Sequence, residues 1–407
     1  MLDFTTAGES HGKALLVIVE GLPAGIEVDF SHLNEKLARR QGGYGRGGRM
    51  DIEKDRIEVV SGIRAGETTG SPVGMKINNR DWKNWKQVMS PYPEKITEEQ
   101  EVEINRDDRV KKVELQVTRP RPGHADLAGV YKYGLGDIRS ILERASARET
   151  AARTAAGGLL DSFLDYFGIE ILSHVRELGG VKASVPESEF TELKKRVQES
   201  PVNCFDRDSE EKMIVLIDKV KKEGDSLGGV IEIVTTPLPA GLGSHTSWKR
   251  RLDGRLARAL MSIPAIKGVE IGPAFANASR RGSKVHDEIY YEPERGFYHE
   301  TNRAGGVEGG MTNGEPLKIR MAMKPIPTLY QPLNSVDIES GEPFKASVER
   351  SDVTAVPAAG VVGEAMVSFV ISRLLLEKFG GDNIKDTVSA CNKYLADREN
   401  SVGDKEK

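Results

Sequence analysis

The sequence predicts an α+β protein whose two halves repeat one plan around a shared core. Ala14 to Glu20 is apolar and rich in β-branched residues, which suits a strand, and it runs into the turn Leu22-Pro23-Ala24-Gly25. Asp29-Phe30-Ser31 then offers N-cap residues for a helix to about Arg40. The same order returns with a strand over 230–236, the turn Leu238-Pro239-Ala240-Gly241, and a helix from about Trp248 to Ser262. A second echo keeps the sequence of events: Thr69-Gly70-Ser71-Pro72-Val73 leads into a strand, and so does Asn313-Gly314-Glu315-Pro316-Leu317. Chance matches among Gly and Pro turns are the alternative. The shared order favours an internal duplication, with halves of about 1–165 and 225–380. Together they make a single domain over 1–394, followed by a flexible polar tail over 395–407.

The strongest helical segment lies between the halves, from about Asp137 to Tyr166, dense in Ala, Leu, Glu and Arg. A second long helix is expected over Ala358 to Phe379, stopped by Gly380-Gly381. Ile57 to Ser61 reads as a strand, and the charge-dense stretch from Glu94 to Glu114 as a solvated excursion.

With 407 residues and 38% hydrophobic content, the chain can bury a large core. Its 58 basic and 62 acidic residues give a net charge of -4, so an anion site must be local, and a general nucleic-acid surface is disfavoured. Cys204 and Cys391 have no CxxC partner, which fits a reducing cytosol. Met1-Leu2-Asp3-Phe4 carries no signal-peptide pattern, and the apolar run near Val361 to Leu376 is interrupted by Glu364 and Arg373. A cytoplasmic protein is expected. The histidines form no HxxxH or HExxH pattern, so no metal is expected. No GxGxxG follows a strand, so a Rossmann nucleotide site is not indicated.

Chemistry concentrates in six segments. Gly8-Glu9-Ser10-His11-Gly12 places a histidine between glycines, open to close approach by a ligand; a turn histidine capped by Ser10 is the plain alternative. Residues 39–49 mix four arginines with five glycines just after a helix, suited to gripping phosphate or carboxylate; a loose RGG-like segment is the alternative. Arg121-Pro122-Gly123-His124-Ala125-Asp126 sets Arg and His on a proline-stiffened turn, where Asp126 either orients the imidazole or caps a helix. Such a turn suits protonation of a phosphate leaving group. Arg144 and Arg148 are four apart and so share a helix face, with alanines around them leaving room above it; a surface helix with Glu–Arg pairs is the plain alternative. Lys324-Pro325-Ile326-Pro327-Thr328 is a stiff extended stretch. Asp352 precedes a helix, where a carboxylate is stabilised by the dipole. These features point to an enzyme for a small, strongly anionic substrate, with histidines for proton transfer, and leave the reaction open.

Five segments carry a resemblance: GESHG at 8–12, RRQGGYGRGGRM at 39–50, RPGHADLAG at 121–129, ERASARETAAR at 143–153 and RSDVTAVPAAGVVGEAM at 350–366. In this order they resemble the signature segments of chorismate synthases, from residue 5 to about residue 380. The resemblance implies a β-α-β sandwich, with helices between two antiparallel sheets, assembled as a homotetramer. It implies anti-1,4-elimination of phosphate from 5-enolpyruvylshikimate 3-phosphate in the shikimate pathway, with reduced FMN (FMNH2) as cofactor and an external source of reduced flavin. By position it makes His11, His124 and Asp352 catalytic, and Ser10, Arg40, Arg46, Arg121 and Arg148 substrate ligands. It assigns flavin contacts to Arg144, Ala145, Ser146, Pro264, Ala265, Gly309, Lys324, Pro325, Ile326, Pro327, Thr328 and Arg350. Pro264 stands where the family has a more polar residue, so its contact would be through the backbone. The competing readings are an anion- or RNA-binding protein using its Arg-Gly segments, and an NADPH-dependent flavin reductase. The charge and the two rigid histidine turns weigh against the first, and the sequence offers no secure nicotinamide site for the second.

Overall fold

The apolar, β-branched run over Ala14–Glu20 forms a strand of the first sheet, as expected. In this computed structural model, which describes residues 1–47, 54–92, 101–106, 109–114, 116–186, 189–293, 296–346 and 352–399, β1 (Asp3–Ala7) pairs antiparallel with β2 (Ala14–Glu20). Leu15, Val17 and Val19 of β2 are buried, while Leu16 and Ile18 are exposed, as expected for a sheet covered on one face. β3 (Ile57–Ser61) and β4 (Val73–Asn78) complete an antiparallel sheet in the order β1-β2-β4-β3. The second antiparallel sheet contains β5 (Ile171–Leu178), β6 (Val181–Lys182), β7 (Gly229–Pro237), β8 (Ile266–Ile271) and β9 (Pro316–Met323), ordered β6-β5-β7-β9-β8. Its outer face is partly covered by the helix Phe190–Gln198, whose Leu193 and Val197 pack on Leu172 and Val234.

The helices that matter to the site are α1 (Phe30–Gln41), α2 (Trp82–Trp85), α3 (Asp126–Tyr133), α4 (Arg139–Leu142), α5 (Thr150–Leu164), α6 (Leu252–Met261), α7 (Val356–Phe379) and α8 (Ile384–Glu399). Asp29 caps α1 by accepting from His32 N at 2.9 Å. α5 lies against the first sheet, α7 against the second, and the two helices pack on each other. A Cβ built on Gly157 would sit 2.3 Å from Ala365 Cβ, so a side chain there would force the helices apart. α7 is long and apolar enough to cross a membrane, yet 83% of its most apolar window is buried inside the protein. A helix apolar on all sides belongs to the centre of a core. Two buried carboxylates stitch this centre. Glu364 receives Arg39 at 2.8 and 3.0 Å and the N–H of Ser173 at 2.9 Å, and Asp161 receives Lys36, His32 and Ser368. In chain order these elements run β1-β2-α1-β3-β4-α2-α3-α4-α5 and then β5-β6-β7-α6-β8-β9-α7, with α8 at the end.

Four expectations need correction. The helix over 137–166 is interrupted, because α4 ends at Leu142, a 3-10 turn spans Ala147–Glu149, and α5 begins at Thr150. Ser146 is extended (φ -63°, ψ 142°), and its hydroxyl accepts from Arg148 N, which starts a new helical segment. Arg144 and Arg148 therefore do not share a helical face. The helix from Trp248 is a 3-10 turn to Arg250, and α6 follows from Leu252. The charged excursion contains an antiparallel hairpin, Glu101–Arg106 with Arg109–Glu114. Residues 395–399 of the expected tail are the end of α8, and 400–407 lie outside the described residues.

Candidate active site

The loop after β1 carries the first histidine and is held from several sides. The Ser10 N–H donates to Glu143 O (3.0 Å), and Ser146 Oγ lies 3.1 Å from Ser10 Oγ. His11 N donates to Glu143 Oε2 (2.8 Å), and its Nδ1 lies 2.9 Å from Oε1. Burial opposes charge on Glu143, but hydrogen bonds and attraction from His11 outweigh it and hold the carboxyl below the usual range. Arg144, bound to Thr6 O and Gly8 O, ties the same loop from the exposed side. Asn79 Nδ2 donates to Glu9 O and Gly12 O, while its Oδ1 accepts from Arg148 Nε (3.0 Å) and Nη2 (2.9 Å).

Arg148 connects this loop to the arginine segment. Its Nη1 reaches both oxygens of Asp55, at 2.7 and 2.6 Å, and Arg40 Nη1 stands 3.7 Å from the same carboxylate. Arg40 also donates to Thr150 Oγ1 and Ala147 O. Its neighbour Arg39 points to Glu364, so the two adjacent arginines face different partners. Arg46 pairs with Asp352 (2.8 Å), whose other oxygen accepts from Gly47 N (2.6 Å). Ser10, His11, Arg40, Arg144, Ser146 and Arg148 thus form one connected group, and Arg46 with Asp352 a second. Gly48, Arg49 and Arg350 lie outside the described residues.

The second histidine is built on the stiff turn before α3. Asp126 accepts from Arg121 N and Nε, both at 2.9 Å, and lies 2.6 Å from His124 Nδ1. The N-cap of α3 is Ala125, and the Asp126 carboxylate turns to Arg121 and His124, so of the two roles open to it the structure shows the orienting one. Burial opposes its ionisation, but His124 and Arg121 outweigh this and hold its carboxyl well below the carboxylate range. Lys324 Nζ donates to Gly123 O (3.0 Å), bringing the 324–328 segment to this turn. Burial and the charge of Lys267 push the Lys324 ammonium down from the ordinary lysine value. Ala265, at φ 68°, accepts from Lys324 N (3.0 Å). Just before Pro264, Ser262 binds Arg153, which pairs with Glu149, and Glu149 accepts from Thr6. These contacts link the Lys324 segment to the His11 group. Gly309 is exposed in a hairpin turn, and its neighbour Gly310 accepts from Leu252 N at the start of α6.

These segments match a known family along most of the chain. The model of the family described as Chorismate synthase covers residues 2–376. The chain belongs to the chorismate synthase family. A chorismate synthase of Desulforudis audaxviator is 55% identical over 395 residues, covering 97% of both chains, and one of Desulforamulus reducens is equally similar. A crystal structure of chorismate synthase superposes with a TM-score of 0.76 at 38% identity, covering 98% of each chain. The chain is therefore a lyase of aromatic amino-acid biosynthesis. Its reaction is the elimination of phosphate from 5-enolpyruvylshikimate 3-phosphate to give chorismate.

Sequence reasoning missed Glu143, Asp55, Asn79 and Trp85 as parts of the site. Glu143 stood inside a quoted motif, but its partner is 132 positions earlier in the chain. Asp55 and Asn79 carry no local pattern that marks them.

Proposed function

We propose that the elimination proceeds at the His11 and His124 groups with reduced FMN, His11, His124 and Asp352 handling protons. The observation that carries this reading is the shared wiring of the histidines: each Nδ1 lies within 3 Å of a buried carboxylate, Glu143 or Asp126. Ser10, Arg40, Arg46, Arg121 and Arg148 would hold the substrate's phosphate and two carboxylates, with Arg148 shared between substrate and Asp55. His124 and Arg121 would stabilise the departing phosphate as the C3–O bond breaks, with Asp126 supporting the imidazolium. Asp352 would assist removal of the C6 proton.

The residues suit a reduced flavin. Among the described residues His11 Nε2 is buried with no hydrogen-bond partner, and Lys324 is a half-buried cation beside the second group. Arg144, Ala145, Ser146, Pro264, Ala265, Gly309, Lys324 to Thr328 and Arg350 would hold it. When bound, the cofactor supplies an electron-rich ring at the breaking bond, with no net redox change.

We further propose one domain over 1–394 built from duplicated halves, with the packed helices as the middle layer of a β-α-β sandwich. Two strands, a helix, two strands and a core helix recur around the additional elements β6, α2, α3 and α4, which supports the first, and the packing of α5 on one sheet and α7 on the other supports the second. Cytoplasmic location, an external source of reduced flavin, and a homotetramer complete the reading. Leu16, Ile18 and Val60, exposed on the first sheet, offer apolar surface for self-association. The deciding experiment is an anaerobic assay with 5-enolpyruvylshikimate 3-phosphate and photoreduced FMN. Phosphate release with chorismate formation is expected. Full turnover without flavin would overturn the cofactor assignment.

A further inference from the structure

We infer that Glu143 is the positioning residue for His11, holding the ring proton on Nδ1 so that Nε2 alone faces the reacting ligands. This rests on the reading of His11 as a proton-transfer residue. One carboxylate grips His11 at two points, the backbone N–H at 2.8 Å and ring Nδ1 at 2.9 Å, so ring and backbone are fixed together. Glu143 O also accepts from Ser10 N, which anchors the preceding residue. A carboxylate has no proton to give when ionised, so the hydrogen in this contact belongs to Nδ1. The other ring nitrogen is buried and has no hydrogen-bond partner among the described residues, which leaves it for a ligand.

The face of the ring is fixed as well. Trp85 stacks on it with centroids 3.9 Å apart and planes 20° from parallel. Trp85 is held in turn by its Nε1–H donating to Asp81 Oδ2 at 3.0 Å. The charged groups around the imidazole are therefore Glu143 at its edge, Arg139 at 3.7 Å from Glu143 Oε1, and Asp81 behind the indole. Arg139 Cζ also lies 5.7 Å from the centroid of the Trp85 ring. Clamping one nitrogen with a carboxylate while exposing the other is how a protein selects a histidine tautomer. Glu143 touches no reacting atom in this account; its effect passes through His11.

The test uses the full chain with 15N-labelled histidine. In the unmodified protein, the neutral His11 ring is expected as the Nδ1–H tautomer; a predominant Nε2–H tautomer overturns the proposal without any variant. Glu143→Gln keeps the shape but removes the charge, and is expected to give mixed tautomers and a kcat lower by about tenfold or more. KM should stay within about twofold, because no substrate contact is removed. Glu143→Asp is expected to recover the Nδ1–H signature at least in part. Unchanged ring shifts in a folded Glu143→Gln protein overturn the proposal. Normal turnover by His11→Ala, alongside a tautomer change in Glu143→Gln, would instead sink the catalytic reading of His11 and leave the positioning intact.

Discussion

Replacing Arg148 with alanine separates two kinds of contribution from one side chain. The Asp55 side chain is fully buried, and Arg148 lies against it with its own side chain only 3% exposed. Two short contacts, at 2.7 and 2.6 Å, neutralise the carboxylate, and Asn79 takes the rest of the guanidinium. Removing one partner of a buried pair leaves an uncompensated charge, which typically costs 3–5 kcal/mol. Arg40, 3.7 Å from Asp55, offsets part of this, so about 3 kcal/mol is expected for Arg148→Ala. Urea unfolding at neutral pH measures the loss. Adding Asp55→Ala removes the stranded charge, so the double variant should be more stable than Arg148→Ala alone. An Arg148→Ala protein as stable as the parent, with only kcat/KM reduced, would refute the reasoning and make Arg148 purely a substrate ligand.

Other expectations follow from the same geometry. Asp126→Asn should lower kcat/KM by about tenfold or more, because Arg121 and His124 lose their common anchor; steady-state kinetics that match the parent would remove Asp126 from the site. Glu232 pairs with Arg320 at 2.5 Å and lies 3.2 Å from His174; burial opposes its charge, but these groups and Arg176 bring its carboxyl down to about 2 from 4.5. Because the folded-state value is depressed, this stabilisation is present above about pH 4.5 and fades as pH falls toward 2. Glu232→Gln should therefore cost on the order of 3 kcal/mol at pH 7 and flatten the acid limb of the stability profile, measured by urea unfolding across pH. Gly157→Val should destabilise by about 3 kcal/mol or more, since even Cβ would overlap Ala365; an unchanged unfolding midpoint would mean that the helices move apart freely. Leu16→Glu with Ile18→Glu should reduce the assembled mass in light scattering while a folded chain persists, and retention of a tetramer would clear that face of a role.

What could be read early was what local chemistry decides. The strand at Ala14–Glu20 was legible because its run is apolar and rich in β-branched residues, and α7 because its apolar run ends at a glycine pair. The break between Leu142 and Thr150 was not legible, because good helix formers there are overruled by long-range contacts, Glu143 turning to His11 and Ser146 meeting Ser10. The signature segments identified the histidines and arginines, but the residues that aim them are distant in sequence. Glu143, Asn79 and Asp55 became visible only once the chain had brought them to His11 and Arg148.

The position of α7 in the chain also sets a timetable for biogenesis. This helix supplies the surface on which α1, α5, α6 and the second sheet converge, yet it is made after all of them. At ribosomal speed, about 350 residues take roughly 20–70 s to emerge. Throughout that interval the inner face of the second sheet and the glycine-lined flank of α5 have no α7 to cover them. The nascent chain thus keeps apolar surface exposed until its last eighth appears. Chains arrested before residue 356 should be protease-sensitive, and release of those extending through residue 379 should bring abrupt protection of the whole core.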